Sequence, residues 1–311
     1  MDRLAEAEKV EIISLMDNSI DMLSTINRTE VKTFKEWMKK PLKLPIAEHG
    51  FSMLVRVWTK GEKHVVLFDT GISPLGIIIN ARRMGINLSE VETIVLSHGH
   101  YDHFGGLSAV IKAIKRENLP IIVHEDMFKT RGSEADNGTI RRYPAFPSDC
   151  EVKPAKYVKT REPYLIAGGS ILVTGEIPRE TKFEKGYSRH RALINGEWVP
   201  DPWIWDDRAL VIKHIKGLII ISGCAHAGVI NTINYARRVT GVNKVYAVMG
   251  GFHLAGKEDE KRIGITVEEF KCIKPEIIVP CHCTGWRGIL AIFEAMPDAF
   301  IWNSVGNLYQ L

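Results

Sequence analysis

The chain has 311 residues, 45% hydrophobic and 25% charged, with a formal net charge of +4 at pH 7. That is enough apolar material for a large core, while the charge is too mild to argue for nucleic acid and tilts only toward small anionic ligands. Five cysteines interspersed with histidines do not read as a disulfide framework and imply a reducing, cytoplasmic setting; the N-terminal MDRLAEAEKV lacks the apolar segment of a secretory signal, and runs such as Leu218 to Ile221 are too short to span a bilayer.

Val10 to Met16 reads as a first strand that stops at Asp17 and Asn18, residues that favour turns by bonding their own backbone. From Asn27 to His49 a segment with Lys32, Lys35, Lys39, Lys40, Phe34, Trp37, Pro41 and Pro45 reads as a short helix and a connecting arm, either near a site or as a solvated basic face. Phe51 to Thr59 and His64 to Asp69 form a strand pair around Lys60 to Glu62. Pro74 to Met84 reads as a helix with Leu75, Ile78, Ile79 and Met84 on one face and Gly85 as its stop.

The apolar strand Ile94 to Leu96 runs into Ser97, His98, Gly99, His100, Tyr101, Asp102 and His103. Alternate side chains of an extended segment share a side, so His98, His100 and Asp102 can converge on one point, while His103 points elsewhere and can serve a neighbouring ion. Imidazole with carboxylate suits Zn, Fe or Mn better than Ca or Mg. A helix follows over Leu107 to Arg116, with Val110, Ile111 and Ile114 inward, then a strand from Ile121 to His124, where His124 reads as structural. Arg131 to Lys159, rich in charge, Pro and Gly, reads as a surface excursion or small hairpin.

Ser170 to Thr174 is a strand leading into TGEIPR, where Glu176 can bind metal, act as a base or pair with Arg179. Glu180 to Asp207 shows no strong periodicity but contains Lys182, Lys185, Tyr187, Arg189, His190, Arg191, Trp198, Trp203 and Trp205. Segments this long are usually functional or disordered, and the tryptophans argue against disorder. We expect a lid over residues 180–207 in which Arg179, Lys182, Arg189 and His190 hold an anionic substrate and Trp205 stacks on its ring. Anchoring of the tryptophans to the core is the other reading.

Arg208 to Ile215 and Gly217 to Ser222 restart the pattern of the first half: LIIISGCAHAG runs an apolar strand into Cys224 and His226 and then into a helix, Val229 to Val239. Cys224 is a candidate thiolate ligand or part of a small-residue turn. His226 is a candidate ligand. The strand Lys244 to Met249 ends in GGFHL, where His253 reads as a phosphate or leaving-group contact or as a satisfied buried histidine. After a helix over Val267 to Ile273, the strand Glu276 to Val279 delivers PCHCTG, with His282 toward the site and Cys281 and Cys283 alternating away from it. Trp286 to Met296 is a closing helix, and Phe300 to Trp302 and Asn307 to Gln310 are final short strands.

HGHYDH, His98 to His103, matches the HxHxDH signature and resembles the metallo-β-lactamase superfamily. The resemblance implies an α/β, four-layer αββα sandwich, two mixed sheets flanked by helices, over a single domain spanning residues 1–311. It implies two divalent metals, with Zn preferred and Fe or Mn as alternatives: His98 and His100 on the first, Asp102, His103 and His282 on the second, and Asp69 of FDTG in support. The usual third histidine of the first metal is missing after Ser170 to Thr174, so Glu176 or, better, His226 replaces it, and Cys224 stands where relatives place a bridging aspartate or a cysteine ligand.

AEHGFS, TGEIPR, SGCAHAG, GGFHL and PCHCTG are similar to a branch that includes archaeal dihydropterin–ribofuranosylaminobenzene phosphate synthases as well as metal-dependent hydrolases. The implied activity is hydrolysis of a phosphoester or related anionic substrate through a metal-bound hydroxide, with Asp102 moving the proton and His253 or Glu176 assisting. The alternative is transfer of a pterin methyl group from its pyrophosphate to an aminobenzene ribosyl phosphate. The resemblance implies a small phosphate-bearing partner and neither nucleic acid nor membrane; a homo-oligomer is compatible with it.

Overall fold

The computed structural model describes residues 4–38 and 43–311; Lys39, Lys40 and Pro41 of the expected basic arm lie outside them. The molecule is a four-layer α/β sandwich. The first sheet runs, in spatial order, Lys156–Lys159, Pro120–Val123, Thr93–Val95, Glu62–Phe68, Ser52–Thr59, Lys9–Met16, Leu308–Gln310 and Val31–Lys32. Its first four strands are parallel and the rest antiparallel. The second sheet runs Tyr164–Ile166, Ile171–Val173, Ala209–His214, Gly217–Ser222, Val245–Gly251 and Ile277–Cys281, with Glu6–Ala7 paired to Ala209–His214. Its last three strands are parallel.

The strands read as continuous apolar runs because both faces are covered. Val55, Val57, Val66 and Phe68 meet Ile212, Ile219, Ile221 and Met249 between the sheets. On the outer face of the first sheet, Leu54 and Leu67 pack with Ile77 and Ala81 of helix Pro74–Arg83 and with Val110 and Ile114 of helix Leu107–Ile114. Leu218 and Ile220 face Ile230, Ile233, Phe270 and Ile292 of the helices Val229–Thr240, Ile263–Ile273 and Gly285–Ala295. Each such aliphatic side chain contributes about 1.5–3 kcal/mol of burial. No helix among the described residues is long and apolar enough to cross a membrane.

One helix face differs from expectation. Leu75 is 70% exposed, and the inward face of Pro74–Arg83 is Gly76, Ile77, Asn80 and Ala81. Asn80 turns inward because its amide is fully used, accepting from Ile46 N at 2.8 Å and donating to Leu15 O and Ile46 O at 2.8 Å. A buried, satisfied polar residue of this kind breaks the apolar periodicity.

The 180–207 segment is also more ordered than an aperiodic lid. His190–Ile194 and Glu197–Pro200 form a hairpin, and His190–Ile194 pairs antiparallel with Arg131–Glu134, itself paired with Ile140–Arg142. The expected excursion after Arg131 and the expected lid are thus one four-stranded sheet. The strands Lys156–Lys159 and Tyr164–Ile166 were not read from the sequence, whereas of the final strands only Leu308–Gln310 forms, Phe300 making an isolated bridge to Ile278.

Candidate metal centre

The site lies where strands of both sheets end. Lys9–Met16 delivers Asp17 and Asn18, Glu62–Phe68 delivers Asp69, Thr93–Val95 delivers the histidine loop, Gly217–Ser222 delivers Cys224 and His226, Val245–Gly251 delivers His253, and Ile277–Cys281 delivers His282. Several of these residues leave their strand in the left-handed region: Asp69 (φ 60°), Ala225 (53°), His253 (44°) and His282 (49°). That conformation costs non-glycine residues energy and persists where the surroundings over-determine it. Gly223 is needed for close approach, since a Cβ there would stand 2.2 Å from Ser97 Oγ.

Asp69, fully buried, organises the loop. Oδ1 accepts from Ser97 N at 2.6 Å, and Oδ2 accepts from Ser97 Oγ at 2.7 Å and from His103 Nδ1 at 2.6 Å. Ser97 has spent its proton on Asp69, so at 2.9 Å it accepts from His98 Nδ1, which leaves a lone pair on His98 Nε2. At the other end, His190 Nδ1 donates to Asp201 O at 2.8 Å, so a neutral His190 ring presents a lone pair on its Nε2. His100 stands between them, Nδ1 2.9 Å from His98 Nε2 and Nε2 3.1 Å from His190 Nε2.

Burial first, then His190, pushes the His100 imidazole well below its ordinary pKa, so it carries one proton and can satisfy one neighbour. Donation to His190 leaves His100 Nδ1 and His98 Nε2 with lone pairs facing each other, and His226 Nε2 lies 3.2 Å from His98 Nε2. A cation placed between these nitrogens would resolve the contact. The ligand atoms of His98, His100 and His226 all lie within 4.8 Å of one another, and burial also drives His98 and His226 well below their ordinary pKa, the neutral state that metal binding requires.

A second set sits beside it. Asp102 Oδ2 is 3.3 Å from His282 Nε2 and 3.8 Å from His103 Nε2. Although burial raises its pKa, His103, His282 and His100 hold the Asp102 carboxyl well below the usual carboxylate range. His282 is oriented by Asn18 Oδ1, 3.1 Å from its Nδ1, and by Asp17 Oδ1, which accepts from its backbone N at 3.0 Å; its buried Nε2 faces the Asp102 carboxylate without making a hydrogen bond of good geometry. Cys224 Sγ, 3.2 Å from His103 Nε2, groups with His98 and His103 as well as with His282, placing it between the two sets. Both donor sets fit divalent ions.

Other expected residues fall differently. The His253 ring is tilted against that of His226, centroids 4.1 Å apart, and lies 3.6 Å from Asp259 through Nε2, and burial lowers its pKa to about 3, so it reaches the cluster as a neutral ring. Glu176 joins none of the metal groupings and does not pair with Arg179: its Oε1 lies 2.9 Å from both Arg161 Nη1 and His124 Nε2. His124 also accepts from Asp126 N at 3.0 Å, a structural role.

Arg179 holds the carbonyls of Ile177, Trp203 and Ile204 and lies 4.7 Å over the Trp205 ring. Arg189 pairs with Asp136, Lys182 is exposed, and His190 faces His100. The anchor missed in the sequence is Arg131, whose guanidinium binds Asp206 at 2.5 and 2.7 Å while Asp206 Oδ2 accepts from Gly99 N at 2.8 Å.

Two cavities adjoin the cluster. One, of about 680 Å³, is walled by His49, His100, Tyr101, Asp102, Arg141 and Tyr143. The other, of about 500 Å³, has His282, Asn18, Trp286 and Trp302 in its wall. His49 ends the arm expected near a site and belongs to the AEHGFS motif, whereas Arg141 and Tyr143 had no signal beyond their residue types.

A family model described as the metallo-beta-lactamase superfamily matches residues 46–176. The chain is 35% identical over 274 residues to the 7,8-dihydropterin-6-methyl-4-(beta-D-ribofuranosyl)-aminobenzene-5'-phosphate synthase of Methanocaldococcus jannaschii, covering 85% of this chain and 90% of that protein. It is 32% identical to an uncharacterized protein of the same archaeon over 266 residues, covering 84% and 93%. Among solved structures, a metal-dependent hydrolase of the beta-lactamase superfamily, Tm1679, superposes with a TM-score of 0.72 at 26% identity, covering 97% of this chain and 98% of that one.

Proposed function

Because the chain belongs to the metallo-β-lactamase superfamily, we propose that it is a metal-dependent transferase, acting as one domain, that joins two ring-bearing, phosphate-carrying substrates with release of pyrophosphate. The observation that carries this reading is the pair of cavities, each with cluster residues in its wall: His100 and Asp102 in one, His282 in the other. Condensation needs two substrates to meet at one centre. The similarity to a synthase of a pterin–aminobenzene product supports the same choice.

His98, His100 and His226 would hold one divalent ion, and Asp102, His103 and His282 the other, with Cys224 between them; zinc suits the donors first, iron or manganese second. Bound there, the ions would supply Lewis-acid charge against a pyrophosphate leaving group and ionise water near neutral pH. Arg141 and His49 offer cationic and hydrogen-bonding contacts to a phosphate in the larger cavity, and Tyr143 offers a ring face. Trp286 and Trp302 offer faces to a planar ring in the smaller one. Asp102, held ionised, accepts a proton from the incoming nucleophile, and the neutral His253 beside His226 offers a hydrogen bond at the cluster's edge.

Hydrolysis of a phosphoester is the second reading, favoured by the similar metal-dependent hydrolase and by the opening of Asp102 onto the larger cavity. The zinc-loaded protein should be given a pterin methyl pyrophosphate with an aminobenzene ribosyl phosphate, and separately phosphomonoester and phosphodiester substrates. Joined product with pyrophosphate release supports the transferase. Phosphoester turnover without joined product moves the assignment to hydrolysis, and inactivity in every arm overturns both.

A further inference from the structure

Alternation along an extended strand sends Cys281 and Cys283 away from His282, and Cys281 obeys, packing into the core between the sheets. Cys283 does not. At His282 the backbone turns left-handed (φ 49°) and His282–Thr284 forms a single helical turn, which breaks the two-residue period and swings Cys283 to the side of the histidine. Its Sγ and that of Cys224 group with the nearest ring nitrogen of His282, all within 4.8 Å of one another. The Cys283 thiol donates weakly to Cys224 O at 3.4 Å, and the two loops meet across Gly251, where a Cβ would stand 2.6 Å from Cys283 Sγ. The His282 side chain is fully buried, and its Nε2 lies 3.3 Å from Asp102 Oδ2 without making a hydrogen bond of good geometry.

We propose that Cys283 is a second sulfur ligand at this centre. With Cys224 Sγ and His282 Nε2 it makes a two-sulfur, one-nitrogen set for a thiophilic divalent ion such as Zn²⁺, Fe²⁺ or Cd²⁺, in preference to Mn²⁺ or Mg²⁺. On binding, each thiol loses its proton to solvent and its sulfur donates an electron pair, with no change of oxidation state. Asp102 and His103 provide a harder set on the other side of His282. The nature of the ion then selects between an oxygen–nitrogen and a sulfur-bearing environment. The proposal rests on the metal-dependent reading above and on no particular substrate.

The test loads chelator-stripped full-length protein with Co²⁺ and reads metal per chain together with the near-ultraviolet thiolate-to-cobalt charge-transfer band. Wild type is compared with Cys283→Ser, Cys224→Ser and, as an exposed control, Cys272→Ser. Cys283→Ser is expected to lose about half of the band while still binding cobalt, as counting thiolate ligands requires, and Cys272→Ser to lose none. An unchanged band in Cys283→Ser overturns the proposal alone, whereas a wild-type protein that takes up no metal overturns the functional reading with it. Should Cys283→Ser fail to fold, alkylation of the wild-type thiols decides: Zn²⁺ is expected to protect Cys283, and equal labelling with and without Zn²⁺ overturns the assignment.

Discussion

His190 sits too deep to grip an anion in the open cavity; it is buried and both its nitrogens are occupied, Nδ1 by Asp201 O and Nε2 by His100. Its effect is to fix which nitrogen of His100 carries the proton, leaving Nδ1 free for a metal. Such outer partners typically change metal affinity by about 10–100-fold. We therefore expect His190→Ala to weaken zinc binding by that order, read by competition with a chromophoric chelator, and His190→Gln, which keeps an acceptor, to recover much of it. Equal affinity in wild type and His190→Ala would show that the imidazole contact does not set the His100 tautomer.

Two elements hold the loop ends in place from a distance. The helix Val229–Thr240 starts at Gly228, which has no side chain to cap it, and Glu184 supplies the cap: Oε1 accepts from Ile230 N at 2.9 Å and Oε2 from Asn231 N at 2.8 Å. Removing a buried acceptor of this kind costs about 1–3 kcal/mol, so Glu184→Ala should lower the urea midpoint accordingly. Burial outweighs these bonds and raises the pKa of the Glu184 carboxyl above the ordinary glutamate value of about 4.5. The folded state then keeps this proton to higher pH than the unfolded state does, and the Glu184 contribution to stability falls as pH rises from 4.5 through the raised folded value. That part of the slope should vanish in Glu184→Ala, and an unaltered pH profile would locate the slope elsewhere.

The lid sheet is tied down by Arg131, 2% exposed, on Asp206, fully buried. Arg131→Met strands that carboxylate and should cost about 3–5 kcal/mol, with Arg131→Met/Asp206→Asn recovering part of it. A double variant no more stable than the single one in urea unfolding would argue against the ion pair as the tie.

Across the whole molecule, legibility followed the range of the interaction. The histidine loop, Cys224, His226 and His282 could be read because each follows a short apolar strand, and parallel strands bring their carboxyl ends together. The lid sheet could not, because His190–Ile194 pairs with Arg131–Glu134 across a long intervening stretch that no local period encodes. Cys283 was misplaced by applying the strand period two residues beyond the strand's end at Cys281, and Asp17 and Asn18 passed as turn residues although they orient His282.

The same convergence predicts that the assembled protein is stabilised by cations. Its centre gathers His98, His100 and His226, neutral through burial, beside an ionised Asp102, and without an ion at least one pair of lone pairs faces inward unsatisfied. An ion that binds only the folded state adds about 4 kcal/mol at a thousandfold excess over its dissociation constant. Chelator-stripped protein should therefore melt several degrees below zinc-loaded protein, with the difference growing with the logarithm of free zinc. His100→Ala, which removes both a ligand and the lone-pair conflict, should narrow that difference while leaving the stripped protein no less stable. If stripped and zinc-saturated wild type unfold at the same temperature, the histidines are held by protons alone and the centre is not a metal site.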